Sequence, residues 1–157
     1  MHVSVLAIGG RPRPWVVAAW DEYARRLPQA WRTELVEIPA ARRSPRQPAA
    51  EVRSAEAGRV RGALKGSERL VALDEHGRLL GSEAFAEHLD GWLAGGRDIA
   101  FVIGGAEGLE AELLGEADFR WSLSPLTLPH EMVRMVLVEQ LYRAATIIAG
   151  HPYHRGG

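Results

Sequence analysis

Three short stretches toward the C-terminal end gather the groups best suited to chemistry: Ile103-Gly-Gly-Ala-Glu-Gly108, Trp121-Ser-Leu-Ser-Pro-Leu-Thr-Leu-Pro-His130 and His151-Pro-Tyr-His-Arg155. Glycines that follow an apolar run let backbone approach a ligand closely, and open α/β sheets bind ligands at the C-terminal ends of their strands. Leu73-Asp74, Gly104-Gly105 and residues 123–128 all stand at such ends, so convergence of the three would outline one pocket. A tight turn also accounts for the glycines from Gly104 to Gly108 taken alone. In the tail, Pro152 stops a helix and leaves Tyr153, His154 and Arg155 where chain ends usually fray. Such groups repay ordering only against a partner. RNA would use the tyrosine for stacking and the arginine for phosphate or developing negative charge.

Other chemistries find no support. The chain has no cysteine, which removes disulfides, thiolate metal sites and cysteine nucleophiles. His151 and His154 lack a third ligand, so no metal is expected. Around Gly62-Ala-Leu-Lys-Gly-Ser67 the lysine precedes the glycine, which breaks the phosphate-loop order, and the glycine loop lacks G-x-G-x-x-G spacing. No G-x-S-x-G elbow is present.

At 157 residues, 46% hydrophobic and 25% charged, with a mean hydropathy of -0.13, the chain has the composition of a single globular domain. No segment approaches a membrane span, and residues 3–8 are too short for a signal-peptide core, so a cytoplasmic location is expected. The net charge of -1 conceals an asymmetry. Residues 39–66 carry seven basic against two acidic side chains, whereas residues 67–120 carry four against twelve. The basic run holds Arg42, Arg43, Arg46, Arg53, Arg59, Arg61 and Lys65. It suits phosphate neutralisation, or equally a solvated helix and loop.

These groups need a scaffold, and the hydropathy pattern supplies one. Strand-length apolar runs alternate with helix-period segments, which predicts a largely parallel α/β sheet flanked by helices. Strands are expected at residues 2–8, 32–38, 69–73, 98–103 and 119–123. Helices are expected at residues 14–26, 49–65, 82–93 and 110–116, with a final helix starting near Pro129. Ser82 and Thr127 are the cap candidates for the third and last helices. The first helix should bury Trp15, Val16, Ala19, Trp20 and Tyr23, and core is the default for Trp31, Trp92 and Trp121. Three prolines make residues 39–48 a loop. The last helix is apolar around most of its circumference, so either the domain or a second subunit must cover it. Arg134 lies within that apolar arc and must find a partner there.

With Ile38-Pro-Ala40 and Leu141-Tyr-Arg-Ala144, the three C-terminal motifs resemble the RlmH family of SPOUT-superfamily methyltransferases, nearly end to end and in the same order. The resemblance implies one domain over residues 1–157, with a SPOUT α/β fold, a C-terminal trefoil knot and a homodimer. It implies transfer of a methyl group from S-adenosylmethionine to N3 of a pseudouridine in the 23S rRNA of assembled ribosomes. Ribose 2′-O-methylation, a non-enzymatic ribosome-binding factor and a nucleotide-binding regulatory module are the alternatives. The family's cofactor site falls on Leu73, Gly104, Leu123, Ser124, Pro125, Leu126, Thr127 and Leu128. Its functional tail falls on Tyr153, His154 and Arg155, expected to reach an active site formed with the other subunit. Arg42, Arg43 and Arg46 are the expected RNA contacts. Ala106 replaces a frequent proline, Pro125 a small residue, and Gly156-Gly157 extends past the usual end.

Overall fold

The computed structural model describes residues 1–155. Five strands, β1 (Val3–Gly9), β2 (Glu34–Pro39), β3 (Arg69–Leu79), β4 (Ile99–Ile103) and β5 (Phe119–Ser122), form one sheet in the order β2-β1-β4-β3-β5. Every pairing is parallel. Five helices connect or follow them: α1 (Pro14–Ala24), α2 (Ala49–Ala63), α3 (Ser82–Ala94), α4 (Ala111–Glu116) and α5 (His130–Ile148).

Side-chain alternation along the strands divides the core into two layers. Val3, Val5, Ala7, Phe101 and Ile103 pack with Trp20 of α1, Phe85 and Leu89 of α3, and Leu137 and Leu141 of α5. Leu6, Ile8, Ala100 and Val102 point the other way, onto Ala57 and Val60 of α2 and Leu113 of α4. The chain therefore leaves β1 and β3 toward one face of the sheet and leaves β4 toward the other. Such a switch opens a crevice at the strand ends, here centred on β4.

Several local expectations need correction. Strand β3 runs six residues beyond Leu73, and its pairing with β5 is interrupted between Leu73 and Arg78. Asp74 binds Arg120 there, so the polar continuation stays extended beside β5. Gly77 makes the approach possible: a Cβ at that position would stand 2.7 Å from the Arg120 carbonyl carbon and 2.8 Å from the Trp121 nitrogen. Gly81, not Ser82, is the N-cap of α3, and the Ser82 hydroxyl donates to Gln140 Oε1 at 2.7 Å, joining α3 to α5. Pro129 is the N-cap of α5 and no side chain caps it, which leaves Thr127 in the preceding loop. Trp15 is 45% exposed because α1 presents Val16 and Trp20 to the sheet, one step around from it. Arg134 does find a partner: its Nη1 donates to Glu37 Oε1 on β2 at 2.7 Å.

Candidate active site

The crevice at the strand ends is a cavity of about 350 Å³. Leu73 and Asp74 from the β3 end, Gly104 and Gly105 from the β4 end, and the loop between β5 and α5 converge on it. Of the residues expected to hold a cofactor, Leu73, Gly104, Leu123, Ser124, Leu126, Thr127 and Leu128 all line this cavity. Pro125 belongs to the same loop but is exposed and does not line it.

Local hydrogen bonds shape the walls. The Gly108 N–H donates to the Gly105 carbonyl at 3.1 Å, and Gly108 adopts φ +76°, closing residues 105–108 into a tight turn. Gly104 faces that turn so closely that a Cβ would meet the Gly108 carbonyl carbon at 3.0 Å and Leu109 Cγ at 3.1 Å. In the opposite wall, Ser122 Oγ donates to the Ser124 carbonyl at 3.1 Å, and the Leu126 N–H donates to Ser124 Oγ at 2.9 Å. These bonds fold residues 122–126 into a compact turn. Trp121 closes the floor, stacked on Phe85 with ring centroids 4.0 Å apart, and its buried Nε1 has no hydrogen-bond partner among the described residues.

Apolar surface and fixed carboxylate sit side by side in this cavity. Leu109, Leu123, Leu128 and Val133 supply the apolar part. Asp74 Oδ2 accepts hydrogen bonds from Arg120 Nη2 at 2.6 Å and Nε at 3.1 Å, and Oδ1 accepts from the His76 N–H at 3.2 Å. Glu75 adds a second carboxylate to the rim. Apolar walls beside carboxylates fit a ligand that joins an apolar, flat group to a cationic centre.

The tail is elsewhere. A short turn over Pro152–Arg155 packs on the distal half of α5, and neither Tyr153, His154 nor Arg155 lines the cavity of its own chain. Tyr153 donates to Glu139 Oε1 at 3.2 Å, its ring centroid lies 4.7 Å from that of Tyr142, and the Arg143 guanidinium sits 5.0 Å over it. Burial first, then the Tyr23 hydroxyl and the Glu139 charge, push its phenol up to about 12. Gly156 and Gly157 lie outside the described residues.

The basic run does not form one face. Arg59 Nη1 donates to the Pro39 carbonyl at 2.6 Å, and Arg61 pairs with Glu110 and Glu116 of α4 and its approach. Arg43 pairs with Glu107 in the glycine turn, whose carbonyl also accepts from Arg53 Nη1 at 3.5 Å. Lys65 stands at the opposite end of the sheet, with His2, Glu68 and Asp98. Arg42 and Arg46 are exposed and make no ion pair among the described residues. Charge counting along the chain cannot separate these cases, because their partners lie far away in sequence.

Sequence reasoning quoted His130 only as the end of a motif and missed its place in the cavity wall. It also missed Glu56, 4% exposed on α2, whose Oε1 accepts from the Ala41 N–H at 3.2 Å. A glutamate on the apolar face of an amphipathic helix was the available signal.

Among the described residues, no group of three His, Asp or Glu side chains could hold a metal ion, and no helix is long and apolar enough to cross a membrane. The chain is 48% identical to the ribosomal RNA large subunit methyltransferase H of Bordetella petrii, over 99% of both chains. It is 47% identical to the protein of that name from Paraburkholderia xenovorans and 40% identical to that from Hydrogenovibrio crunogenus, again over 99% of both chains. A solved structure of a probable methylase family protein from Haemophilus influenzae Rd KW20 shares the fold, with a TM-score of 0.56 at 14% identity, covering 94% of this chain and 66% of that one. The family described as predicted SPOUT methyltransferase matches residues 1–154. A parallel α/β sheet with its cavity at the C-terminal ends of β3, β4 and β5, matched over nearly its whole length, makes this chain a member of the SPOUT methyltransferase family.

Proposed function

We propose that the protein is a homodimeric, cytoplasmic enzyme that transfers a methyl group from S-adenosylmethionine to N3 of a pseudouridine in the 23S rRNA of the assembled ribosome. The observation that carries this reading is the separation of cavity and tail within one chain. The cavity gathers seven of the eight expected donor-binding residues, while Tyr153, His154 and Arg155 dock on α5 away from it. A tail contributed by a second protomer would complete the site. The trefoil knot belongs to the same reading.

The residues present fit the donor. The apolar wall suits its adenine, and the Asp74 and Glu75 carboxylates suit its positive charge. When bound, the donor supplies an electrophilic methyl carbon on a sulfonium. Holding the accepting nitrogen in line with that carbon is the protein's main contribution to rate. Arg155 stabilises the negative charge that develops on the base as its N3 proton leaves. Tyr153 and His154 orient the base, and Arg42 and Arg46, exposed on the loop after β2, hold phosphates. The apolar groups left exposed support dimerisation: Trp15 is 45% and Val17 42% exposed on α1, Ile148 is 38% exposed on α5, and Leu126 is 73% exposed beside the cavity.

Calorimetry with S-adenosylmethionine, sedimentation, and mass mapping of methyl groups on ribosomes from a strain lacking the protein test this reading. Donor binding, a dimer and a missing N3-methylated pseudouridine are expected. A missing ribose methyl would move the target to the 2′-hydroxyl, ribosome binding without donor binding would make the protein a binding factor, and an active monomer would remove the shared site. Arg155→Ala should lose turnover while keeping donor affinity; near-normal turnover removes Arg155 from the chemistry.

A further inference from the structure

His130 opens α5 and lines the cavity, and the structure holds its ring in an unusual way. Gly9, the last residue of β1, has no side chain, and the space where its Cβ would stand is filled from α5. His130 Cδ2 and Nε2 come within 3.4 Å of that point, and Nη2 of Arg134, one turn further along the helix, within 3.2 Å. Arg134 is 1% exposed and anchored to Glu37 on β2, and its Nε has no hydrogen-bond partner among the described residues. Burying a guanidinium is costly unless it is paired, and Glu37 supplies the pair that holds Arg134 beneath Gly9. Its position here fixes the floor under the imidazole. The ring itself makes no hydrogen bond or ion pair among the described residues; its Cδ2–Nε2 edge packs on Gly9, which leaves Nδ1 as the nitrogen turned away from that contact.

The sheet order decides which wall this is. Donor-side residues come from β3, β4 and the loop before α5, whereas His130 leans on β1, the neighbour of β4 on the other side. Beyond β1 lies β2, whose following loop carries Arg42 and Arg46, and the loop after β1 carries Arg11. Among the titratable residues of the cavity, His130 is therefore the one on the side of the sheet that carries these arginines. The other titratable groups of the cavity stand on β3, with Asp74 already engaged by Arg120 and Glu75 beside His76.

We propose that His130 is a catalytic residue that accepts the N3 proton of the target base. This rests on the N-methylation reading above. In the step, the N3–H bond breaks and its proton moves to the imidazole, while N3 forms its new bond to the methyl carbon. The electron pair of the broken carbon–sulfur bond stays on sulfur, which departs as a neutral thioether, and the imidazolium then returns its proton to solvent. The charged groups around His130 are Arg134 and Glu131 of its own helix, Glu37 of β2, and Arg13 of the loop before α1, which pairs with Glu131 at 3.6 Å.

The test uses His130→Gln and His130→Ala in the full-length protein on ribosomes lacking the modification. Single-turnover rates are measured across pH, beside donor calorimetry and sedimentation. A general base of this kind is worth about 10²–10⁴-fold, so rates should fall by that factor with donor affinity and dimer unchanged. The acidic limb of the wild-type pH–rate profile should disappear in both variants, and added imidazole should restore part of the His130→Ala rate. In the wild-type protein, the imidazole resonance of His130 should move when a pseudouridine-containing RNA hairpin binds. A His130→Gln enzyme that keeps the wild-type profile overturns the proposal, as does a rate loss matched by an equal loss of donor affinity, which makes His130 a wall of the donor site. Wild-type protein that binds no donor, or methylates no base nitrogen, overturns the underlying reading instead and is seen before any variant is made.

Discussion

The same chemical change, glycine to alanine, should move stability in opposite directions at Gly77 and Gly91. At Gly77 the added methyl would lie 2.7 Å from the Arg120 carbonyl carbon and 2.8 Å from both the Arg120 oxygen and the Trp121 nitrogen. Ordinary contact begins near 3.4 Å, so β5 must retreat by about 0.7 Å, and every atom met is backbone rather than the end of a flexible side chain. Overpacking costs about 1–3 kcal/mol, and rigid neighbours place Gly77→Ala at about 3 kcal/mol. At Gly91, inside α3, a methyl meets nothing within 4 Å. Gly91→Ala removes unfolded-state freedom and should stabilise by about 0.5–1 kcal/mol. For a chain of this length each kcal/mol moves Tm by about 2–4 °C. Calorimetric scans at one fixed protomer concentration should therefore show Gly77→Ala melting about 6–12 °C lower and Gly91→Ala about 1–4 °C higher. Because β5 leads directly into the cavity loop, Gly77→Ala should also weaken donor binding while Gly91→Ala leaves it intact. A Gly77→Ala protein with unchanged Tm and donor affinity would refute the close-approach argument.

The remaining predictions address the loop after β2 and the tail. Each phosphate contact contributes about 0.7–0.9 to the slope of log affinity against log salt, so the double variant Arg42→Ala/Arg46→Ala should flatten the slope for RNA binding by about 1.4–1.8. Arg43→Ala should change it less, because Glu107 already holds that guanidinium; filter binding across a salt series distinguishes them. The Tyr153 phenol, raised to about 12 from its ordinary 10, binds its proton more tightly in the folded protein. Its stabilisation of the docked tail is complete below pH 10 and is lost as pH climbs from 10 through about 12. Near-ultraviolet difference titration should show one late tyrosinate transition that Tyr153→Phe removes; ionisation of that group at the ordinary value would contradict the buried contact.

Much of the α/β frame was legible because it rests on local periodicity. The nearly continuous apolar runs of β1 and β4 announce buried strands whatever surrounds them, and Pro14 opens α1 where a proline costs nothing. The grouping of Leu73, Gly104 and residues 123–128 also follows from sequence once the strands are parallel, since their C-terminal ends then lie at one edge. Legibility failed where a distant partner decides. The extension of β3 past Asp74 depends on Arg120, forty-six positions away, and the N-caps of α3 and α5 depend on Ser82 reaching across to Gln140 and on Pro129 taking the terminal position.

By itself the sequence determined the fold class, the strand ends that form the cavity and the aromatic, imidazole and guanidinium content of the tail, because periodicity and turn chemistry act over a few residues. Only the tertiary structure decided which of these groups meet. It set the tail on α5 instead of in its own cavity, engaged Arg43, Arg59 and Arg61 while leaving Arg42 and Arg46 without an ion pair among the described residues, and placed His130 over Arg134 in the space left by Gly9. Buried charge and close backbone approach are settled by whatever lies opposite in space, and that information exists only once the sheet has closed around it.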